Sequence, residues 1–258
     1  MKLRNKVLQF YWYAWLFLLC STATGAEEID ATITWRQKTV LSTPVSGVIK
    51  TINVSPGAVV NKDDVLLQLD DRVFKETLEE AKAQLERMRL LEEEAQRELE
   101  RTLELYDQTL IADHEKQMAI IARADAAAKH QAARAALAKA QMDMDYSAIR
   151  APYDAVVIKQ HAQLGQTIAS LTIIAPLLEV AERGMMSANV LVTGGTVGKL
   201  EIGAAAKVQV GGKTYNGTIE AIGLDPVTDK SNRYEVKVSF STQGKILRAG
   251  QSAKVVLP

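Results

Sequence analysis

The chain has 258 residues, enough for roughly two or three small domains and a sizeable total core. Lysine plus arginine and aspartate plus glutamate are both 31, so the formal net charge is zero, and the basic excess of a nucleic-acid-binding chain is missing. Aromatic residues make up only 5%, which suits long helices and thin β domains better than one large globular core.

Positions 1–26 read as a secretory signal. Lys2, Arg4 and Lys6 form a positive start, 7–20 is apolar, and Ala23, Thr24, Gly25 and Ala26 supply small residues for cleavage before Glu27 and Glu28. The apolar stretch is short against the about 20 residues of a membrane span. An uncleaved N-terminal anchor is the alternative, favoured by the bulky Tyr11, Trp12, Tyr13 and Trp15. Cys20 invites a lipoprotein reading, but Leu19 precedes it where a small residue is wanted. Cys20 is also the only cysteine, so neither a disulfide framework nor a cysteine metal site is available. Export without disulfides points to the periplasm, with the mature chain starting near Ala26 or Glu27.

The segment 27–70 is strand-like and rich in turns, and 147–178 repeats its pattern. Laid over one another at one constant offset, Gly47 falls over Ala155, Gly57 over Gly165, Val60 over Ile168, Leu66 over Ile174 and Leu69 over Leu177. Each half reads as an apolar strand, a glycine turn and a second short apolar strand. Each would expose one apolar face, and packing the halves together would bury both.

Between the halves lies 71–146, which holds no proline or glycine. Leu78, Ala81, Leu85, Met88, Ala95, Leu99, Thr102 and Tyr106 step by three and four residues, a seam that Glu92 interrupts beside Leu91. Asp71–Lys75 and Glu93–Arg97 are spaced as facing ion pairs. The second part of the segment is alanine-rich (Ala119, Ala122, Ala126, Ala133, Ala140), which permits close helix approach. Reversal is expected at 109–113, giving two arms of about 50 Å each. A solvated helix face would carry similar charge runs, but an antiparallel hairpin needs its two ends to meet, and the paired halves supply that meeting place.

The last segment, 179–258, contains alternating strands at 188–193, 207–210, 214–222, 234–241 and 253–257, with Gly211–Gly212 as a hairpin turn, and reads as a small β-barrel.

Catalytic constellations are not found. His114, His130 and His161 lack metal-ligand spacing, and the first two are expected on helix surfaces. Gly198-Lys199-Leu200 and Gly212-Lys213-Thr214 fail as phosphate loops, for want of a following Ser or Thr in one and of the leading glycine in the other. Met142, Met144, Met185 and Met186 read as packing residues rather than soft-metal ligands.

Two stretches carry a family resemblance: 46–70, with Val54-Ser55-Pro56-Gly57-Ala58 and Leu66-Leu67-Gln68-Leu69-Asp70, and 146–157, with Ile149-Arg150-Ala151-Pro152-Tyr153-Asp154. They resemble the halves of a biotinyl/lipoyl domain, and their arrangement around a helical insert resembles the periplasmic adaptor, or membrane fusion protein, family (HlyD-like). Gly223-Leu224-Asp225-Pro226 and Leu247-Arg248-Ala249-Gly250-Gln251 are similar to that family's barrel. The fold class implied is mixed α and β and elongated: a split lipoyl-like β domain with an inserted antiparallel coiled-coil hairpin, then a small β-barrel. The function implied is non-enzymatic. The chain would link an inner-membrane transporter, with the RND type favoured and ABC or MFS exporters as alternatives, to a TolC-like outer-membrane channel for export, as a ring of copies, commonly six. A structural periplasmic coiled-coil protein is the further alternative.

No cofactor is implied, because the turn that would present a modified lysine is replaced by the helical insert. The resemblance places lipoyl-like turns at Gly47, Gly57, Pro152 and Gly165. It places the channel-docking tip at Arg101 and Leu105, with Ala112 where the family has serine, and Leu110 adds an apolar residue at the reversal; closing the tip is the alternative role for Leu110 and Ile111. Asp63 and Ala155 also depart from the family by replacing glycines, and Ala155 is expected to change the local backbone. The domain found after the barrel in many adaptors is expected to be missing.

Overall fold

The computed structural model describes residues 28–169, 175–227 and 232–258. The expected signal, 1–26, and Ile174 of the second half lie outside them. In chain order the described residues form β1 (Glu28–Trp35), β2 (Lys38–Leu41), β3 (Gly47–Ile52), β4 (Val59–Val60), β5 (Val65–Leu69), α1 (Arg72–Asp107), α2 (Asp113–Tyr146), β6 (Ala148–Arg150), β7 (Ala155–Gln160), β8 (Thr167–Ile168), β9 (Leu178–Glu182), β10 (Met185–Thr193), α3 (Gly194–Val197), β11 (Ala205–Val210), β12 (Lys213–Pro226), β13 (Arg233–Ser241) and β14 (Ser252–Val256). Among these residues no helix is long and apolar enough to cross a membrane. They divide into two compact units, Gln37–Arg183 and a barrel unit made by residues 28–36 together with the described part of Gly184–Pro258.

The unit Gln37–Arg183 contains two four-stranded sheets, ordered β2-β9-β7-β4 and β6-β5-β3-β8. The two halves of the sequence repeat therefore do not simply lay apolar faces together: each sheet combines strands from both halves. The exchange is symmetric. Gly47 and Val48 of β3 pair with Ile168 and Thr167 of β8, and in the same way Ala155 and Val156 of β7 pair with Val60 and Val59 of β4. Gly57 N–H donates to the Val157 carbonyl at 2.8 Å, and its counterpart Gly165 N–H to the Ile49 carbonyl at 3.0 Å. Ile49, Leu66, Leu67, Leu69, Ala155, Val157, Leu178 and Val180 form the buried centre. The apolar run that opens β7 follows from this placement, since the strand is buried at its first three positions.

The expected turn residues divide. Gly57 (φ 90°) and Gly165 (φ 78°) occupy turns whose backbone disfavours any residue with a Cβ, and Pro152 is exposed in the bend before β7. Gly47 is not a turn residue; it opens β3, where a Cβ would stand 3.2 Å from Leu69 Cδ1. Asp63 takes the left-handed turn conformation (φ 68°) that the family gives to glycine. The backbone change expected at Ala155 does not occur: it sits in β7 in register with Val60 and Glu182, fully buried.

The barrel unit is a closed ring, β1-β10-β13-β12-β11-β14. Its core combines Ile33, Met186, Val190, Val208, Ile219, Val236, Val238, Phe240 and Val255, with the Tyr215 and Phe240 rings 5.4 Å apart. Gly211 and Gly212, both at positive φ, turn β11 into β12. Two boundaries differ from the sequence reading. Residues 28–35, grouped there with 27–70, form β1, which closes the barrel between β10 and β14. Residues 178–182, divided there between 147–178 and 179–258, form β9, which pairs with β2 and β7. Alternation shows that a strand has a buried face but not which strand will hydrogen-bond to it.

Candidate functional site

The helix pair starts and ends between two adjacent strands. β5 and β6 pair directly, Leu67 with Ile149 and Gln68 with Ala148, and Leu69 N–H donates to the Ser147 carbonyl at 2.8 Å. The chain leaves one strand as α1, returns as α2 and enters the next strand. α1 has 36 residues and α2 has 34.

The root is held by buried polar groups. Asp71 precedes α1 and is 5% exposed. Its carboxylate meets Lys75 Nζ at 2.6 Å, Gln68 Nε2 at 3.3 Å and Lys50 Nζ at 3.5 Å. The Lys75 hydrogen bond holds its pKa below the ordinary aspartate value against the opposing effect of desolvation. On the α2 side of the root, the buried Thr43 hydroxyl donates to the Tyr146 carbonyl at 2.9 Å, and the Ser147 hydroxyl to the Met144 carbonyl at 2.6 Å. These two bonds satisfy carbonyls that the last turn of α2 leaves open.

Along the pair, Leu78, Met88 and Thr102 of α1 and Ala133 and Ala140 of α2 are buried. Glu92, the break in the seam, meets His130 of α2, Nδ1 to Oε2 at 2.6 Å, and Arg123 donates to Gln96 Oε1 at 3.0 Å. His130, expected on a helix surface, is thus partly covered by a contact to the other helix. Leu91 does not fill the break, being half exposed. Asp71–Lys75 forms as spaced, whereas Arg97 turns to Glu94, and Glu93 turns to Arg89.

At the other extreme, α1 stops at Asp107. Thr109 adopts φ 58°, a conformation that crowds a β-branched side chain, and Leu110 N–H donates to the Leu105 carbonyl at 3.0 Å. The Ala112 methyl cannot cap α2; Glu115 reaches back instead to accept from Ala112 N–H at 3.1 Å. Lys116 pairs with Asp113 at 2.6 Å and lies 3.8 Å from the centre of the Tyr106 ring. Asp113 is held below its ordinary pKa by that lysine.

This brings Leu105 and Leu110 together through a backbone bond, places Ala112 at the start of α2, and leaves Arg101 one turn earlier, paired with Glu98 at 2.7 Å. Leu110 is 66% exposed and Leu105 36%; Met118 and Ile121 of α2 are also exposed. Sequence reasoning missed the Tyr106–Lys116–Asp113 contact across the turn, because no periodicity within a helix encodes a contact between helices. It also missed the anchors at Thr43 and Asp71.

A second polar cluster lies in the β unit. Glu179 of β9 is nearly buried and meets Lys38 Nζ at 2.6 Å and His161 Nε2 at 2.8 Å. First the Lys38 contact and then the His161 contact hold its pKa at about 2. The cluster joins β2, β9 and the end of β7 and has the form of a structural tie. Among the described residues no group of histidine, cysteine, aspartate or glutamate side chains could hold a metal ion. Of the four methionines read as packing residues, Met186 is a core residue of β10, Met185 pairs opposite Ser241, and Met142 is exposed on α2.

Residues 37–181, more than half of the chain, match the family described as "CzcB-like, barrel-sandwich hybrid domain". The multidrug resistance protein MdtA of Cronobacter turicensis is 31% identical over 141 residues, which are 54% of this chain and 34% of that protein. The match thus spans about a third of that relative's length. The membrane fusion protein Spr0693 of Streptococcus pneumoniae R6 shares the fold with a TM-score of 0.67 at 14% identity, covering 90% of this chain and 98% of that one. A MacA–MexA chimeric protein containing the Pseudomonas aeruginosa MexA α-hairpin domain gives 0.65 at 21% identity, covering 89% and 79%.

Proposed function

The chain belongs to the family of the CzcB-like barrel-sandwich hybrid domain, and from that membership we propose that it is a periplasmic, non-enzymatic adaptor for export. In this reading it joins an inner-membrane transporter to an outer-membrane channel of TolC-like type, as a ring of copies, commonly six. An RND transporter is the first candidate, with ABC and MFS exporters as alternatives. The helix pair acts as a coiled-coil arm, its tip docks the channel, and the β units meet the transporter and neighbouring copies.

One observation carries the reading: an exposed apolar tip at the far end of a helix pair whose two roots enter adjacent strands. Leu105 and Leu110 have little core to join there, so contact with another protein is their use. Thr109 adds support, since a crowded backbone conformation at a tip is a feature that docking loops retain. The kinship with a protein named for multidrug resistance supports export of small molecules. Docking would rest on Arg101 and on apolar contact from Leu105 and Leu110, with Ala112 withdrawing the hydrogen bond that a serine would give.

The test is affinity isolation of the full chain from membranes after mild cross-linking. A transporter and a channel recovered together, and lost export when the chain is deleted, are the expected results. Recovery of neither, with export intact, would leave the structural coiled-coil reading.

A further inference from the structure

In the barrel unit, Lys213 opens β12 just after the Gly211–Gly212 turn, and Lys245 lies in the loop between β13 and β14. Both side chains line one cavity of about 420 Å³, together with Tyr215, Gln251 and Ser252, and no carboxylate is among its lining residues. The two lysines share this recess, and the neighbouring Lys213 holds Lys245 below the ordinary lysine pKa. An ammonium group offers three donors and no acceptor, so two of them cannot satisfy one another. Lys254 of the same barrel shows the usual outcome: it pairs with Glu28 at 2.9 Å and its pKa rises. Among the described residues, the lining of this recess concentrates donors and positive charge at Lys213 and Lys245 and includes no carboxylate.

We propose that this cavity binds a phosphate-type oxyanion, with its oxygens bridging Lys213 and Lys245. An anion between the ammonium groups replaces one repulsion with two charge-assisted hydrogen bonds. Tyr215, Gln251 and Ser252 also line the cavity, beside the apolar Val210 and Leu247, and it is large enough for a phosphate and part of whatever carries it. Free phosphate and the headgroup of an anionic lipid share this chemistry.

The full chain is titrated with inorganic phosphate while the lysine side-chain signals are followed by NMR. Saturable shifts at Lys213 and Lys245 and a rise in the Lys245 pKa are expected. Lys213→Gln and Lys245→Gln should each weaken binding by about tenfold, the size of one charge-assisted hydrogen bond. Lys199→Gln, an exposed change outside the cavity, should alter it by less than about twofold. A second arm measures sedimentation with phosphatidylglycerol vesicles against phosphatidylcholine vesicles. Lysine-dependent response to free phosphate alone assigns the site to a soluble oxyanion. Lysine-dependent retention on phosphatidylglycerol alone assigns it to a lipid headgroup. No response in either arm, or equal weakening by Lys199→Gln, overturns the proposal.

Discussion

The two ends of the helix pair are built from different kinds of residue and used in opposite ways. At the root, Asp71 and Thr43 are buried and spend their polar groups on the chain itself, one on Lys75, Gln68 and Lys50 and the other on the last carbonyl of α2. At the tip, Leu105 and Leu110 face solvent, Thr109 sits in a crowded conformation, and Ala112 leaves α2 without a side-chain cap. One end closes on itself and the other remains open to a partner. Changes at the root should therefore act on stability, and changes at the tip on function.

The sharpest way to break that contrast is to charge the tip. Leu105→Asp and Arg101→Asp should each abolish export while shifting stability by no more than about 1 kcal/mol, because both positions are exposed and the helix terminus is only mildly sensitive to charge. Export assays in a strain carrying each variant, with circular dichroism as folding control, measure this. Full export by both well-folded variants would move the docking site off this tip. The converse change is Leu69→Ala, beside the root and fully buried, which should cost about 2–5 kcal/mol in chemical denaturation. Loss of export there should track loss of folded protein.

Smaller effects sharpen the comparison. Gly57→Ala and Gly165→Ala meet no atom within 4 Å, so each should cost about 1 kcal/mol of backbone strain alone. Equal costs are the expectation from the symmetric turns of the two halves. Thr109→Gly should do the reverse and stabilise by about 1 kcal/mol, since glycine adopts φ 58° without crowding. Differential scanning calorimetry resolves all three. If Thr109→Gly also lowers export, the tip conformation itself matters to docking.

The effect confined to the narrowest range of conditions concerns pH. Glu179 titrates at about 2 in the folded chain against an ordinary value of 4.5, so it binds its proton more readily when unfolded. The stability it contributes is complete above the ordinary value and is lost as pH falls from there toward about 2. Glu179→Gln should flatten the stability curve over that window and leave it unchanged near neutrality in slope. An unaltered acid limb in the variant would show that the Lys38 and His161 contacts do not form in solution.

The elements that repeat or alternate were legible in the sequence. The seam from Leu78 to Tyr106, free of glycine and proline, marks a helix, and the barrel strands announce themselves by alternation at Val236, Val238 and Phe240. The constant offset between the halves was legible too, down to Gly57 over Gly165. What it did not reveal was the exchange: that β3 pairs with β8 and β7 with β4 is a matter of distant backbone partners, which side-chain periodicity does not encode. β1 was assigned to the wrong neighbours for the same reason. At the site, Arg101, Leu105 and Ala112 came from resemblance, and Leu110 from its apolar character at a reversal. The Glu92–His130 contact was legible only as a defect in the seam, since the residue that answers it lies on the other helix.

The central claim is that the open tip meets an outer-membrane channel while the root does not. The direct measurement is photocross-linking in actively exporting cells, with a benzophenone amino acid placed in turn at Leu110, in the turn between the helices, and at Val73, exposed in the first turn of α1. The account predicts an adduct with a channel protein from position 110 and none with that channel from position 73. A channel adduct from position 73, or none from position 110 while export proceeds, would contradict it.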